Sequence, residues 1–169
     1  MDAISKTRIQ LLHPKLRAEA ELILSEIEKA LTGKAMCRFT HTLRTWEEQD
    51  NLYQQGRTTP GQIVTNAKGG SSYHNYGLAI DIALVLDKDG NGSYETASWD
   101  TKGDYDADKI SDWMEVVSIF KKHGWEAGIE WKNFPDAPHF QKTFGYSIAQ
   151  LKTKYQKKDF IAGSIYVQV

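Results

Sequence analysis

Apolar residues recur along the chain at two spacings, and the longer spacing predicts helices. After Pro14, apolar residues lie three or four positions apart over residues 16–30, which predicts an amphipathic helix that ends at Gly33. A second stripe of this kind, over residues 110–120, predicts a helix that ends at Gly124 and packs on a sheet.

Two further helices are predicted from their first turns. Thr45 and Glu48 have the spacing of a capping box, in which each side chain binds the other residue's backbone N–H, and this helix would end at Gly56. Ser147 and Gln150 repeat the pattern and predict a short helix near the end of the chain.

The shorter spacing predicts strands. Residues 36–43 alternate between apolar and polar side chains, and residues 78–86 are apolar except for Asp81, which is typical of a buried strand. Residues 161–169 alternate loosely and predict a last strand. Residues 57–75 are rich in glycine and serine and have no apolar period, so we expect a long irregular segment of the kind that is often functional. These patterns favour an α+β fold with helices on one face of an antiparallel sheet.

The composition excludes several classes of protein. The chain has 169 residues, with 21 Lys and Arg against 22 Asp and Glu and a net charge of -1. A chain of this length can fold without a partner, so we expect one domain over residues 1–169 and a monomer. The near-zero charge argues against nucleic-acid binding, which depends on clustered cations. The longest apolar run, residues 82–86, is far below the roughly 20 residues that cross a bilayer, so no membrane insertion is expected.

Two features bear on the cellular compartment. Cys37 is the single cysteine and cannot form an internal disulfide, so we assign it no role. Residues 1–6 lack the basic patch and apolar stretch of a secretory signal. We therefore expect the chain to be made, and kept, in the cytoplasm.

Candidate chemistry concentrates in two segments, residues 72–81 and 136–141. His74 precedes a glycine turn that leads into the strand with Asp81, and a second strand could bring His139 to the same point. Two histidines and one carboxylate suit zinc, with a fourth position open for water. Coordination would explain a carboxylate in an apolar strand; the alternative is a buried Asp81 that accepts backbone hydrogen bonds.

Asp136 lies three residues before His139 and is a candidate general base. Pro138 between them excludes the helical geometry of a His-Glu-x-x-His protease, so this pair must lie on extended backbone. There Asp136 could accept a proton from water and pass it to the leaving amine. The alternative is a turn residue within residues 134–138, whose composition favours turns by itself.

These segments resemble a known family. The pattern Ser-x-His-x-x-Gly-x-Ala-x-Asp at residues 72–81, followed by Asp136 and His139, resembles the signature of the zinc D,D-peptidases of peptidoglycan. Within that family, residues 48–58, 64–67 and 135–141 are most similar to L-alanyl-D-glutamate endopeptidases, including phage endolysins.

The resemblance implies roles for the residues of both segments. His74, Asp81 and His139 would be the zinc ligands, and Asp136 would be the catalytic acid and base. Residues 124–131 depart from the family pattern, in which this stretch is commonly rich in aromatic residues. The departure puts substrate contacts near residue 127 in doubt.

The resemblance also implies four further site residues. Arg44 would bind a substrate carboxylate or the developing oxyanion, and a guanidinium suits such groups; the alternative is a solvated surface arginine. Gln49, Arg57 and Ser72 would lie around the cleft, although Gln49 could equally face solvent from its helix.

The tryptophans are divided between two roles. Trp125 and Trp131 could form walls of the cleft, although large aromatic residues are more often part of the core. Trp99 and Trp113 are assigned to packing.

A calcium site is an open alternative for residues 87–93. Oxygen-bearing side chains occupy positions 1, 3, 5 and 7 of this segment, as at the start of an EF-hand loop: Asp87, Asp89, Asn91 and Ser93. The twelfth position is Ser98 rather than glutamate, so Glu95 or Asp100 would have to complete the site. Asp-Gly and Asn-Gly pairs are also ordinary turn formers.

The sequence thus predicts a zinc peptidase that cleaves the L-Ala-D-Glu bond of peptidoglycan stem peptides. A D-alanyl-D-alanine carboxypeptidase or dipeptidase is the alternative within the same chemistry, and a non-catalytic wall-binding module is the alternative of another class. A phage-type lysis enzyme that waits in the cytoplasm for membrane permeabilisation would fit the expected location.

Overall fold

Helices and short strands alternate along the chain. The computed structural model describes residues 2–169. In order, its elements are α1 (Ala3–Gln10), α2 (Pro14–Ala30), β1 (Ala35–His41), α3 (Trp46–Gln54), a first 3-10 helix (Tyr73–Tyr76), β2 (Ala79–Leu86), β3 (Thr96–Ser98), α4 (Asp112–Lys122), β4 (Glu126–Ala127), a second 3-10 helix (Gly128–Glu130), β5 (His139–Gln141) and α5 (Ile148–Gln156). The predicted α+β class is confirmed.

The strands form one antiparallel sheet whose two faces differ in chemistry. Its order is β1-β2-β5-β4, and β3 pairs with β2. Because side chains alternate between faces, Ile80 and Ile82 point into the core while Asp81 between them points to the other face. Asp81 is the direct cross-strand partner of His139. The register therefore brings two candidate ligands together.

The core lies on the face of the sheet that the helices cover. Buried side chains of α1, α2 and α4 join those of β1 and β2 in one cluster. On α4 the Phe120 ring stacks on Phe140 of β5, with ring centroids 4.0 Å apart. The apolar stripe of α4 is narrower than predicted, because the helix begins at Asp112, which leaves Ile110 in the preceding loop, and because Met114 faces solvent.

The helix α1 was not predicted, since its sequence has no apolar period. Tertiary contacts fix it instead. The Asp2 carboxylate caps its first turn by accepting the Ser5 N–H and forms an ion pair with Arg38 of β1. The Ser5 hydroxyl in turn accepts the Phe39 N–H at 2.9 Å. A short helix is thus held by its partners rather than by its own propensity.

The predicted last strand at 161–169 is wrong. This segment contains one bridge, between Phe160 and Val167, because Gly163 adopts a left-handed conformation (φ 71°) and the chain turns there. Val167 is buried, and its carbonyl accepts a hydrogen bond from His13 at the start of α2.

Trp113 is fully buried as predicted, whereas Trp99 is 59 % exposed and does not pack in the core. Within residues 2–169, none of the helices is long and apolar enough to span a bilayer.

Candidate active site

Three side chains converge on one point on the polar face of the sheet. The Nε2 atom of His74 lies 3.0 Å from Oδ1 of Asp81 and 3.2 Å from Nδ1 of His139. The third side of this triangle, from His139 Nδ1 to Asp81 Oδ1, is 3.1 Å. Ligand atoms about 2.0–2.2 Å from a tetrahedral zinc ion lie roughly 3.3 Å from each other, so the triangle has the size of a zinc site.

The outer hydrogen bonds of both imidazoles fix which nitrogen faces this point. His74 Nδ1 lies 2.7 Å from the Thr42 carbonyl, which can only accept, so Nδ1 carries the proton and Nε2 presents a lone pair. His139 Nε2 donates to the Gln141 amide oxygen at 3.0 Å. The Gln141 amide is itself oriented, because its nitrogen donates to the Glu126 carboxylate at 2.9 Å.

The charges of the triangle suit a bound cation. Burial raises the pKa of Asp81, but the two imidazoles lower it by more, so the pKa of Asp81 lies well below the ordinary range of a carboxyl. Burial lowers the pKa of His139, but Asp81, Gln141 and Asp136 raise it by more. The negative charge that holds a proton on His139 would equally attract a divalent metal ion, which would displace that proton and bind His74 Nε2, His139 Nδ1 and the Asp81 carboxylate together.

The segment 72–77 is shaped to place His74. The Ser72 hydroxyl accepts the His74 N–H at 3.3 Å and so caps the first 3-10 helix. Gly77 ends that helix with φ 67°, and a Cβ atom there would lie 2.7 Å from the His13 nitrogen. Serine and glycine at these positions are therefore explained by the backbone that presents His74 and leads the chain into β2 with Asp81.

Asp136 lies in the same cavity as the three candidate ligands. This cavity has a volume of about 570 Å³ and is also lined by Arg44, Trp131 and the irregular segment 64–73. The Asp136 N–H donates to the Gly128 carbonyl at 3.0 Å, and a side chain at Gly128 would collide with the Asp136 carbonyl. Desolvation at the cavity wall and the charge of Asp81 raise the pKa of Asp136, while His139, His74 and Arg44 oppose this rise.

Arg44 faces the cavity with unused hydrogen-bonding capacity. One guanidinium nitrogen donates to Gln49 Oε1 at 2.9 Å, and another lies 3.6 Å from Asp81. The Nε atom is buried and has no hydrogen-bond partner in the described part of the chain. Both backbone polar groups of Arg44 are hydrogen-bonded: the N–H donates to the His74 carbonyl, and the carbonyl accepts from the Asn75 side chain. The Arg44 guanidinium therefore has a donor available for an anionic group.

Gln49 and Arg57 are not among the residues that line the cavity, and their role in substrate binding stays a prediction. Gln49 is fully buried, accepts from Arg44 and donates to the Ala67 carbonyl at 2.8 Å, so it orients the guanidinium. Arg57 donates to the carbonyls of Tyr53 and Thr65 and thereby fastens the irregular segment.

Replacing Gln49 by methionine is expected to lower kcat/KM for an anionic substrate bound at Arg44 about 10- to 100-fold, the effect of losing one charge-assisted hydrogen bond. Metal content should stay unchanged, because Gln49 is not one of the three candidate ligands. Glu47→Gln on the exposed side of the same helix is the matched control. An unchanged kcat/KM in the Gln49 variant would separate Gln49 from the site.

Two tryptophans predicted near the cleft have different positions. Trp131 lines the cavity, with its ring centroid 5.2 Å from that of His139, while Trp125 is buried in the core. Ala127 is also buried and pairs with Phe140, whose side chain is in the core. The departure from the family pattern at residue 127 therefore changes the core rather than a surface of the cavity.

The sequence did not single out Gln141 and His41, which also line the cavity. Along β5, Gln141 lies two residues after His139 and so on the same face, whereas Phe140 between them faces the core. The position of Gln141 on the polar face could therefore have been inferred from the strand. His41 lies at the end of β1 opposite Asp81. An exposed histidine there had no local signal that distinguishes it from a surface residue.

The loop 87–93 has hydrogen bonds that need no cation. The Asp87 carboxylate accepts backbone N–H groups from Gly90, Asn91 and Gly92 at 2.8–3.1 Å. Asp89 accepts from both the backbone and the side chain of Asn91. The structure thus gives no support to the predicted calcium site in this loop.

An α+β fold that holds two histidines, a carboxylate and a separate acid in one cavity is the architecture of a metallopeptidase. The family described as D-alanyl-D-alanine carboxypeptidase, in peptidase family M15, matches residues 65–142. The peptidoglycan L-alanyl-D-glutamate endopeptidase CwlK of Bacillus subtilis is 45% identical over 131 residues, 77% of this chain and 72% of that protein. The L-Ala D-Glu endopeptidase ChiX of Serratia marcescens has the same fold, with a TM-score of 0.55 and 22% identity over 85% of this chain and 90% of that one. The chain belongs to peptidase family M15, which confirms the resemblance found in its sequence.

Proposed function

We propose that the chain is a zinc-dependent endopeptidase that hydrolyses the L-Ala-D-Glu bond of peptidoglycan stem peptides. The observation that carries this proposal is the triangle of His74, Asp81 and His139 beside Asp136 in one cavity. The choice of bond is supported by the relative of 45% identity, which is named for that activity.

Each cavity residue has a distinct role in this reaction. Zinc held by the triangle would lower the pKa of water and polarise the scissile carbonyl. Asp136 accepts the proton that the attacking water loses, and it returns that proton to the amine of D-Glu as the peptide bond breaks. Arg44 binds a free carboxylate of the stem peptide and so holds the substrate in register with Asp136.

The bond can be identified by mass spectrometry of purified peptidoglycan after digestion and labelling of new amino termini. We expect new N-terminal D-Glu, and we expect it to disappear when a zinc chelator is present and to return when zinc is added. The Asp136→Asn variant is the control for contaminating hydrolases.

A D-alanyl-D-alanine carboxypeptidase is the second candidate, and the description of the matched family favours it. Release of free D-Ala in the same digest, without new D-Glu termini, would move the assignment to that activity. A zinc-loaded protein that releases neither product would be a wall-binding module instead.

We also propose a role in lysis from within, as in the phage endolysins that residues 48–58 resemble. Expression in the cytoplasm of a bacterium with a sensitive wall should leave cells intact until the membrane is permeabilised, for example with chloroform, and then clear the culture. Clearing that is equally fast with the Asp136→Asn variant would contradict this role.

A further inference from the structure

A second group of carboxylates lies outside the cavity, on the loop before α4 and on the first turn of that helix. Two sets of three acidic residues share Asp106, and within each set the oxygen atoms lie within 4.8 Å of one another. Together the sets comprise Asp104, Asp106, Asp108, Asp112 and Glu115. Oxygen atoms bound to one calcium ion at 2.3–2.6 Å are separated by at most about 5 Å, so the spread within each set suits one ion, and the shared Asp106 links the two sets.

Two of these carboxylates each have one buried oxygen atom without a hydrogen-bond partner. Asp112 is 0% exposed; its Oδ1 accepts the Tyr105 N–H at 2.9 Å, but its Oδ2 has no hydrogen-bond partner among residues 2–169. Glu115 Oε2 is buried and unpartnered in the same way. A buried carboxylate oxygen without a donor or a cation is costly, and few occur in folded proteins.

The spacing of the five residues is that of an EF-hand loop. Counted from Asp104, the carboxylates occupy positions 1, 3, 5, 9 and 12, and position 12 is the glutamate that binds calcium through both oxygens in such loops. The sixth position of an EF-hand loop is a glycine at a sharp turn. Here it is Lys109, which adopts the left-handed conformation with φ 77°. As in an EF-hand, a helix follows, because α4 begins at position 9.

We propose that residues 104–115 form a calcium site that joins this loop to α4. The ligands are all oxygen atoms, which calcium prefers over the nitrogen and sulfur ligands of zinc. The loop also reaches the connection between α2 and β1, since Asp106 accepts the N–H and hydroxyl of Thr32 and the Tyr105 carbonyl accepts the Lys34 N–H. A bound ion would therefore fasten three parts of the fold.

The electrostatics of the loop agree with this geometry. Burial raises the pKa of Glu115, and the charges of the four neighbouring aspartates raise it further, to about 7. Mutual repulsion of this kind destabilises the empty site and is relieved when a divalent cation binds.

The proposal can be tested by titrating the zinc-loaded protein with CaCl2 in a calorimeter and by following thermal unfolding. We expect one saturable site and, at a calcium concentration 100 times Kd, a rise in Tm of about 5–10 °C. MgCl2 should bind more weakly, since its octahedral geometry demands a tighter site. Equal binding of both ions, or no saturable binding up to ~10 mM calcium, would overturn the assignment.

Two variants locate the ion. Glu115→Gln should abolish calcium binding and the calcium-dependent rise in Tm, yet raise Tm in calcium-free buffer because one repelling charge is gone. Asp106→Asn provides the same test of binding if Glu115→Gln does not fold. Asp89→Asn, in the other aspartate-rich loop, is the matched control and should bind calcium as the parent does. Binding that is lost in Asp89→Asn and kept in Glu115→Gln would place the ion at residues 87–93 and refute the proposal.

Discussion

Replacing Asp136 by asparagine is expected to reduce kcat for a stem peptide by ~10²–10⁴-fold while zinc stays bound. Asparagine has the shape of aspartate but cannot accept a proton, so the change removes the proposed general base and little else. Asp136 lines the cavity but is not one of the three residues that meet at the candidate metal position. Its pKa is raised by desolvation and by Asp81, which makes the carboxylate a better proton acceptor than an ordinary surface aspartate.

The measurement for this variant combines steady-state kinetics with metal analysis by inductively coupled plasma mass spectrometry. Asp100→Asn, at an exposed position away from the cavity, is the control and should keep both turnover and zinc. Turnover that survives in Asp136→Asn would assign the proton transfer to another group. Loss of zinc together with turnover would make Asp136 a ligand instead.

The sequence predicts best the part of the site whose residues lie close together along the chain. Ser72, His74, Gly77 and Asp81 lie within ten residues, and they serve respectively as a helix cap, a candidate ligand, a turn and a carboxylate on the polar face of a strand. Alternation along β2 alone decides that Asp81 points away from the core. His139 follows 58 positions later, and its meeting with Asp81 depends on the register of β2 and β5.

The features that sequence reasoning missed depend on partners far along the chain. Gln49 was predicted to bind substrate, but its burial and its bond to Ala67 follow from how segment 57–75 folds back over α3. The same holds for α1, which Arg38 and Phe39 hold in place through Asp2 and Ser5.

The two aspartate-rich loops differ in whether the fold satisfies their carboxylate oxygens. Residues 87–93 have the more familiar Asp-x-Asp-Gly-Asn-Gly pattern, but Asp87 already accepts three backbone N–H groups. Residues 104–115 have no glycine at the sixth position, yet they leave Asp112 Oδ2 buried and unpartnered. Which carboxylate oxygens remain unsatisfied is a property of the folded chain, and the order of residues does not reveal it.

Replacing His74 by alanine is expected to remove zinc and activity together. In the proposed zinc site His74 would supply one of three ligands, and its loss would leave His139 and Asp81, which cannot hold the ion in the open tetrahedral arrangement. Because a metal of this kind contributes several kcal/mol to the stabilisation of the transition state, kcat should fall by at least ~10³-fold. His41→Ala is the matched control, because it removes an imidazole that lines the same cavity but is not part of the triangle. The His41→Ala protein should keep its zinc.

The two variants are compared by zinc content after dialysis and by release of new amino termini from peptidoglycan. A His74→Ala protein that retains zinc would show that the ion lies elsewhere, whereas zinc loss in His41→Ala would add a fourth residue to the centre.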